Sequence, residues 1–78
     1  MTTLQVTGFP VSFTPEQVRH VFEPFGTVQA IRPRAEGYEV EMVEAEAAEA
    51  ARDLLEGLVF GDGPLHLTRL EGRYSAVA

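Results

Sequence analysis

The sequence predicts an α+β sandwich in which a four-stranded antiparallel sheet carries two helices on one face, in the order β-α-β-β-α-β. Three observations lead there. Four short stretches alternate apolar and polar residues, two longer stretches repeat their apolar residues with helical period, and clusters of glycine and proline separate them. At 78 residues the chain makes one domain, with a core near the lower limit for a fold that stands without staples. It is 45% apolar and 23% charged, the balance of a globular protein and too apolar for a disordered segment.

Leu4-Gln5-Val6-Thr7 alternates, and Gly8 with Pro10 ends it, so the first strand turns Leu4 and Val6 inward. Thr14 as N-cap, Pro15 at the first helical position and Gln17 three residues after the cap make a helix start of the capping-box type. Val18, Val21, Phe22 and Phe25 then share one face and leave Glu16, Arg19, His20 and Glu23 to solvent. Gly26 stops this helix, whose last turn Pro24 already weakens. A second strand is expected over residues 27–34, with Val28 and Ala30 on one face and Pro33 placing it at a sheet edge. Residues 37–43 form its hairpin partner, with Tyr38, Val40 and Met42 on one face and Glu39 and Glu41 on the other. Residues 44–56 are strong helix formers, with Ala48, Ala51, Leu55 and Leu58 as the buried stripe and Gly57 as the C-cap. A turn at Gly61-Asp62-Gly63-Pro64 leads into the last strand, Leu65-His66-Leu67-Thr68. This is the ferredoxin-like split βαβ arrangement. The domain is expected to span residues 1–72, with a C-terminal tail over 73–78.

Composition narrows the function classes. There is no cysteine, so neither a disulfide framework nor a thiolate metal site contributes. No stretch approaches the roughly 18 consecutive apolar residues of a membrane span, and residues 1–9 lack the basic start and apolar run of a signal peptide. A cytoplasmic protein with no membrane partner is the expectation. Twelve acidic side chains against six arginines give a net charge of −6, which repels a polyphosphate at long range. Affinity for nucleic acid then requires the arginines to be concentrated on one surface.

Residues 6–26 resemble the pattern of the RNA recognition motif: a strand, Asn-Leu-Pro, a helix, and Phe-Gly. Gly8-Phe9-Pro10 stand at the first of these places and Phe25-Gly26 at the last, with Gly8 and Phe9 where Asn and Leu are usual. The Ala-rich second helix ending at Gly57, then Phe60, then Gly63-Pro64-Leu65-His66-Leu67 resembles the family's closing stretch. The resemblance covers residues 4–70. It implies single-stranded RNA as the ligand, stacked on aromatics of the first and third strands and helped by a basic residue at the start of the third. Carried over residue by residue, the first-strand position is Gln5, the third-strand positions are Gly37 and Glu39, and the basic position falls near Ala35. A register shifted by one residue would expose Tyr38 and Val40 and bury Glu39 and Glu41, which burial of unpaired carboxylates disfavours. The open face therefore presents Gln5, Thr7, Gly37, Glu39, Glu41, His66 and Thr68, without a stacking platform. The two carboxylates either shape a binding face or merely solvate it, opposite Arg32 or Arg69.

Two functions remain. RNA can be bound through a non-standard surface, using Arg32 and Arg34 at the end of the second strand, Arg69 and Arg73 after the fourth, and Tyr74 of the tail as a stacking ring. Alternatively the chain is a protein–protein interaction module that has lost RNA binding. The family's peptide-binding subgroup carries Arg-any-Phe before the fourth strand. Here Leu58-Val59-Phe60 supplies the Phe without the Arg. Phe60 is expected in the core, and Leu58-Val59 either packs as an ordinary loop or supports a dimer, so the chain is a monomer or a weak homodimer. No enzyme, cofactor or metal is expected. Acylphosphatase-like chemistry needs an Arg in the loop after the first strand and an Asn, and the chain has neither there. His20 and His66 lie on different elements without ligand-spaced neighbours, and Gly61-Asp62-Gly63 lacks the Gly-Lys-Ser/Thr of a phosphate loop.

Overall fold

A computed structural model of the chain describes residues 1–61 and 63–70. The elements are β1 (Thr2–Thr7), α1 (Pro15–Phe22), a 3-10 turn (Glu23–Phe25), β2 (Val28–Arg34), β3 (Gly37–Met42), α2 (Ala45–Leu55) and β4 (His66–Arg69). The sheet order is β2-β3-β1-β4, with every neighbouring pair antiparallel. This is the α+β sandwich with two helices on one face of a four-stranded sheet. The tail, with Arg73 and Tyr74, and the domain end at residue 72 lie outside the described residues.

Period-two alternation drives one side of each strand into the core. Leu4 and Val6 of β1, Val40 and Met42 of β3, Val28, Leu65 and Leu67 meet Val18 and Phe22 of α1 and Ala47, Ala48, Ala51 and Leu55 of α2. The short alanine side chains let α2 come close. A Cβ on Gly26 would lie 2.5 Å from that of Ala47, so the turn after α1 and the second helix touch through backbone and methyl. The capping box forms: the Thr14 hydroxyl accepts from the Gln17 amide at 3.2 Å, and the Gln17 side chain accepts from the Thr14 N–H at 2.9 Å. Such a cap is worth about 1 kcal/mol.

Several expectations need correction. Val28 and Ala30 do not share a face. A bulge between them pairs Ala30 with Glu41 and Ile31 with Val40, so Ile31 turns inward and Ala30 outward. β1 begins at Thr2, which is buried, rather than at Leu4. Arg19 is half-buried, because its guanidinium donates to the Val28 carbonyl at 3.1 Å. Leu58 is not part of the buried stripe: the helix ends at Leu55 and the chain turns away through Gly57 at φ 85°, leaving Leu58 46% exposed. Phe60 is not in the core either, being 36% exposed.

Both sheet edges are blunted against pairing. On β2, as its sequence predicts for an edge strand, Pro33 lacks an N–H, and Arg19 covers the Val28 carbonyl. On β4 the Gly57 N–H donates to the Leu65 carbonyl and the Leu65 N–H to the Leu58 carbonyl, both at 2.8 Å. Glu56 accepts the next outward amide, that of Leu67, at 2.8 Å. Among the described residues no helix is long and apolar enough to cross a membrane.

Candidate functional site

The strand register assembles the predicted open face in rows. Thr68, Gln5, Glu39 and Arg32 lie side by side across β4, β1, β3 and β2, and His66 sits beside Thr7 in the next row. Thr3, opposite Glu41, extends the face beyond the predicted set. Gly37 closes the row at the hairpin, where its φ of +143° and the Val6 carbonyl oxygen, which a Cβ would strike, leave room for no side chain. The backbone itself therefore excludes a ring at this position.

The edge arginines face inward over the sheet, onto the carboxylates. Arg34 grips Glu39 with two contacts of 3.0 Å, Nε to Oε2 and Nη2 to Oε1, and Arg32 Nη2 lies 3.4 Å from Glu41 Oε1. The two-pronged Arg34 pair is the better directed of the two. With both guanidiniums about half exposed, each pair contributes at most about 1 kcal/mol. Positive charge on this face is thus offset locally by negative charge. Arg69 does not join it. Paired in register with the inward Leu4, it reaches the helical side and meets Glu49 of α2 at 2.6 Å. His66 leans off the face at the opposite edge, its Nδ1 3.0 Å from Glu56 Oε2. The Glu56 carboxyl is held below its ordinary range, first by the Leu67 amide and then by His66.

The aromatic residues gather at one end of the sheet. Gly8 at φ +108° and a turn closed by Phe13 N–H to Pro10 carbonyl fold the β1–α1 loop back, and the Tyr38 hydroxyl pins it by donating to the Phe13 carbonyl at 2.9 Å. Phe9 stacks on Phe13 with ring centres 5.1 Å apart, and Phe60 meets Phe9 edge-on at 5.4 Å. Tyr38 adds a fourth ring edge-on to Phe9. Beside this cluster, between the β1–α1 loop and the β2–β3 turn, lies a half-open cleft of ≈ 340 Å³ lined by Phe9, Pro10, Tyr38 and Gly37, with Arg34 and Glu36 also on its wall. Of this lining, Gly37 and Arg34 belong to the residues expected from the sequence, whereas Phe9, Pro10 and Tyr38 do not. Phe9 and Phe13 flank a turn, which is the one local hint, while their meeting with Phe60 is a tertiary event. Among the described residues no group of three His, Asp or Glu side chains is placed to hold a metal ion.

No protein-family model matches the chain, and no curated protein does. Solved structures do. The RRM domain of S. pombe Puf1 superposes with a TM-score of 0.81 at 22% identity, over 88% of each chain. A structure described as RNA binding protein PG1 gives 0.83 at 17% identity, over 90% of this chain and 94% of the other. The Sxl-lethal protein/RNA complex gives 0.79 at 22% identity, over 86% of this chain and 46% of the other. Strand order, helix placement and these superpositions agree: the chain has the fold of an RNA recognition motif.

Proposed function

We propose that this chain is a non-catalytic module that binds single-stranded RNA at the loop end of its open face. Structural neighbours described as an RNA binding protein and as a protein/RNA complex support RNA as the ligand class and binding, not catalysis, as the activity. The observation that carries the location is the cleft of ≈ 340 Å³ that places Arg34 on one wall with Phe9 and Tyr38. Rings and a guanidinium on one cleft match a base and its phosphate, the phosphate taking the place of Glu39 on Arg34, whereas the centre of the face offers Gln5 and Glu39 where rings would be needed. Arg32 continues the edge toward the next phosphate. Arg69, on the helical side, takes no part.

A strand held this way has few phosphate contacts and an acidic surround, so binding is weak and its salt dependence is shallow, in proportion to the few phosphates neutralised. The test is an amide-shift titration with mixed-sequence single-stranded RNA at low salt. Saturable shifts at Phe9, Arg34 and Tyr38 exceeding those at Gln5 and Thr68 are expected. A spectrum unmoved at high micromolar RNA removes RNA as the ligand, and shifts centred on Gln5 and Thr68 move the site back to the middle of the sheet.

A further inference from the structure

The cleft beside the ring cluster carries a second charged group, which the holding of a phosphate leaves unused. Phe9, Pro10 and Val11 reach it from the β1–α1 loop, and Arg34, Glu36 and Tyr38 from the β2–β3 hairpin. Arg34 is gripped by Glu39. Glu36 is exposed and makes no ion pair or hydrogen bond among the described residues. Both walls are fixed before a ligand arrives. Pro10 is backed by Gly61, where a Cβ would come within 2.5 Å of the proline ring, and the Tyr38 hydroxyl holds the loop. The pairing of Arg34 with Gly37 leaves only Ala35 and Glu36 to make the turn. Val11 is a fully exposed apolar side chain on the cleft.

We infer that Glu36 selects the base: the cleft takes a guanine, with its Watson–Crick edge on the Glu36 carboxylate, its ring against Phe9 and Val11 and its phosphate on Arg34. An ionised carboxylate only accepts hydrogen bonds. Guanine alone among the four bases has two neighbouring donors on that edge, N1–H and the N2 amino group, spaced for the two oxygens of one carboxylate. Adenine and cytosine each put a ring-nitrogen acceptor beside an amino group, and uracil sets one N–H between two carbonyls. Each of these turns a lone pair toward Glu36, a contact that costs both groups their water without a bond in return. The volume of ≈ 340 Å³ is at the small end of ligand pockets, room for one nucleotide rather than a stack. The inference rests on the RNA reading above and narrows it to a base.

The probes are short uridine oligomers in which one position is guanine, adenine or cytosine, with the all-uridine oligomer beside them. Fluorescence anisotropy and amide shifts at low salt read their binding. The guanine oligomer is expected to bind about tenfold more tightly than the others, the scale of one bidentate base contact, with the largest extra shifts at Glu36, Phe9 and Val11. Inosine in place of guanine lacks the N2 amino group and loses most of the preference. Glu36→Gln presents one acceptor beside one donor, the complement of adenine or cytosine, so the preference passes to those two bases. The negative charge it removes affects all four oligomers alike and cancels in their ratios, and an unchanged urea midpoint verifies the fold of this exposed turn. Equal affinity of all four oligomers, with shifts still at Phe9 and Arg34, overturns guanine selection and leaves the RNA site standing. A guanine preference that survives Glu36→Gln overturns the role of Glu36. Oligomers that move no amide remove the RNA reading and this inference together.

Discussion

At the centre of the open face, the two carboxylates that β3 presents meet arginines from β2; at the loop end, four rings from three segments of the chain meet one another. The same alternation makes both arrangements. Glu39 and Glu41 point out because Tyr38, Val40 and Met42 point in, and once Tyr38 is inward its hydroxyl can fasten the loop that brings Phe9 and Phe13 together. The rings of this face therefore gather at its rim and not in its middle. A ligand that needs rings has to approach from that end.

The most disruptive way to challenge this contrast is to force a ring back onto the face at Gly37. The left-handed φ of +143° and the Val6 carbonyl in the path of a Cβ set β1 against β3 at this point. Gly37→Phe is expected to lower the unfolding free energy by about 3 kcal/mol or more, combining backbone strain with lost strand pairing. Urea denaturation measures it. A variant as stable as the parent would mean that the two strands are not closed so tightly and that the bare face is not a backbone constraint.

Glu39 is the milder position, since its side chain already points outward and Tyr is a good strand residue. Glu39→Tyr installs a ring beside Gln5 and takes away the carboxylate that Arg34 grips. RNA affinity is expected to rise by about 1 to 3 kcal/mol, the worth of one stacked base, while stability changes by no more than about 1 kcal/mol. Fluorescence anisotropy with labelled single-stranded RNA reads the first and urea denaturation the second. An affinity that does not move would show that the centre of the face cannot hold a strand even when it has a ring, and that the distinction between centre and rim runs deeper than one side chain.

Legibility followed the range of the interaction. The capping box at Thr14 and Gln17, the inward faces of β1 and β3 and the edge position of β2 were readable because each is set by neighbours a few residues away. The outward residues of the face followed, since Glu39 and Glu41 are costly to bury. What escaped was decided by contacts between distant segments or by a one-residue irregularity. The bulge at Gln29 rotated Ala30 outward and Ile31 inward with nothing in the local pattern to announce it. Arg69 belongs to the helical side because β4 ends at Arg69, one residue beyond the expected Leu65-His66-Leu67-Thr68, and the alternation continues through it. Phe60 read as core on hydrophobicity alone, and only the path of the chain after Gly57 brings it to the surface beside Phe9 and Phe13.

The smallest expected effect lies at the far edge, where His66 leaves the face for Glu56. Because the Leu67 amide and His66 lower the pKa of Glu56 in the folded chain, its ionised form favours folding. That contribution is present above the ordinary carboxylate range and is lost as pH falls through the depressed folded value. Glu56→Gln retains an oxygen for the Leu67 N–H but has no charge to offer His66 and no proton to take up. The parent should therefore be modestly more stable than Glu56→Gln near neutral pH, with the gap closing in acid once Glu56 is protonated. The other carboxylates titrate in both proteins and cancel in the difference. Urea midpoints of the two proteins across that pH range give the comparison. A gap that stays constant from neutral to acid pH would show that the amide contact alone holds this edge and that the charge on Glu56 is immaterial to it.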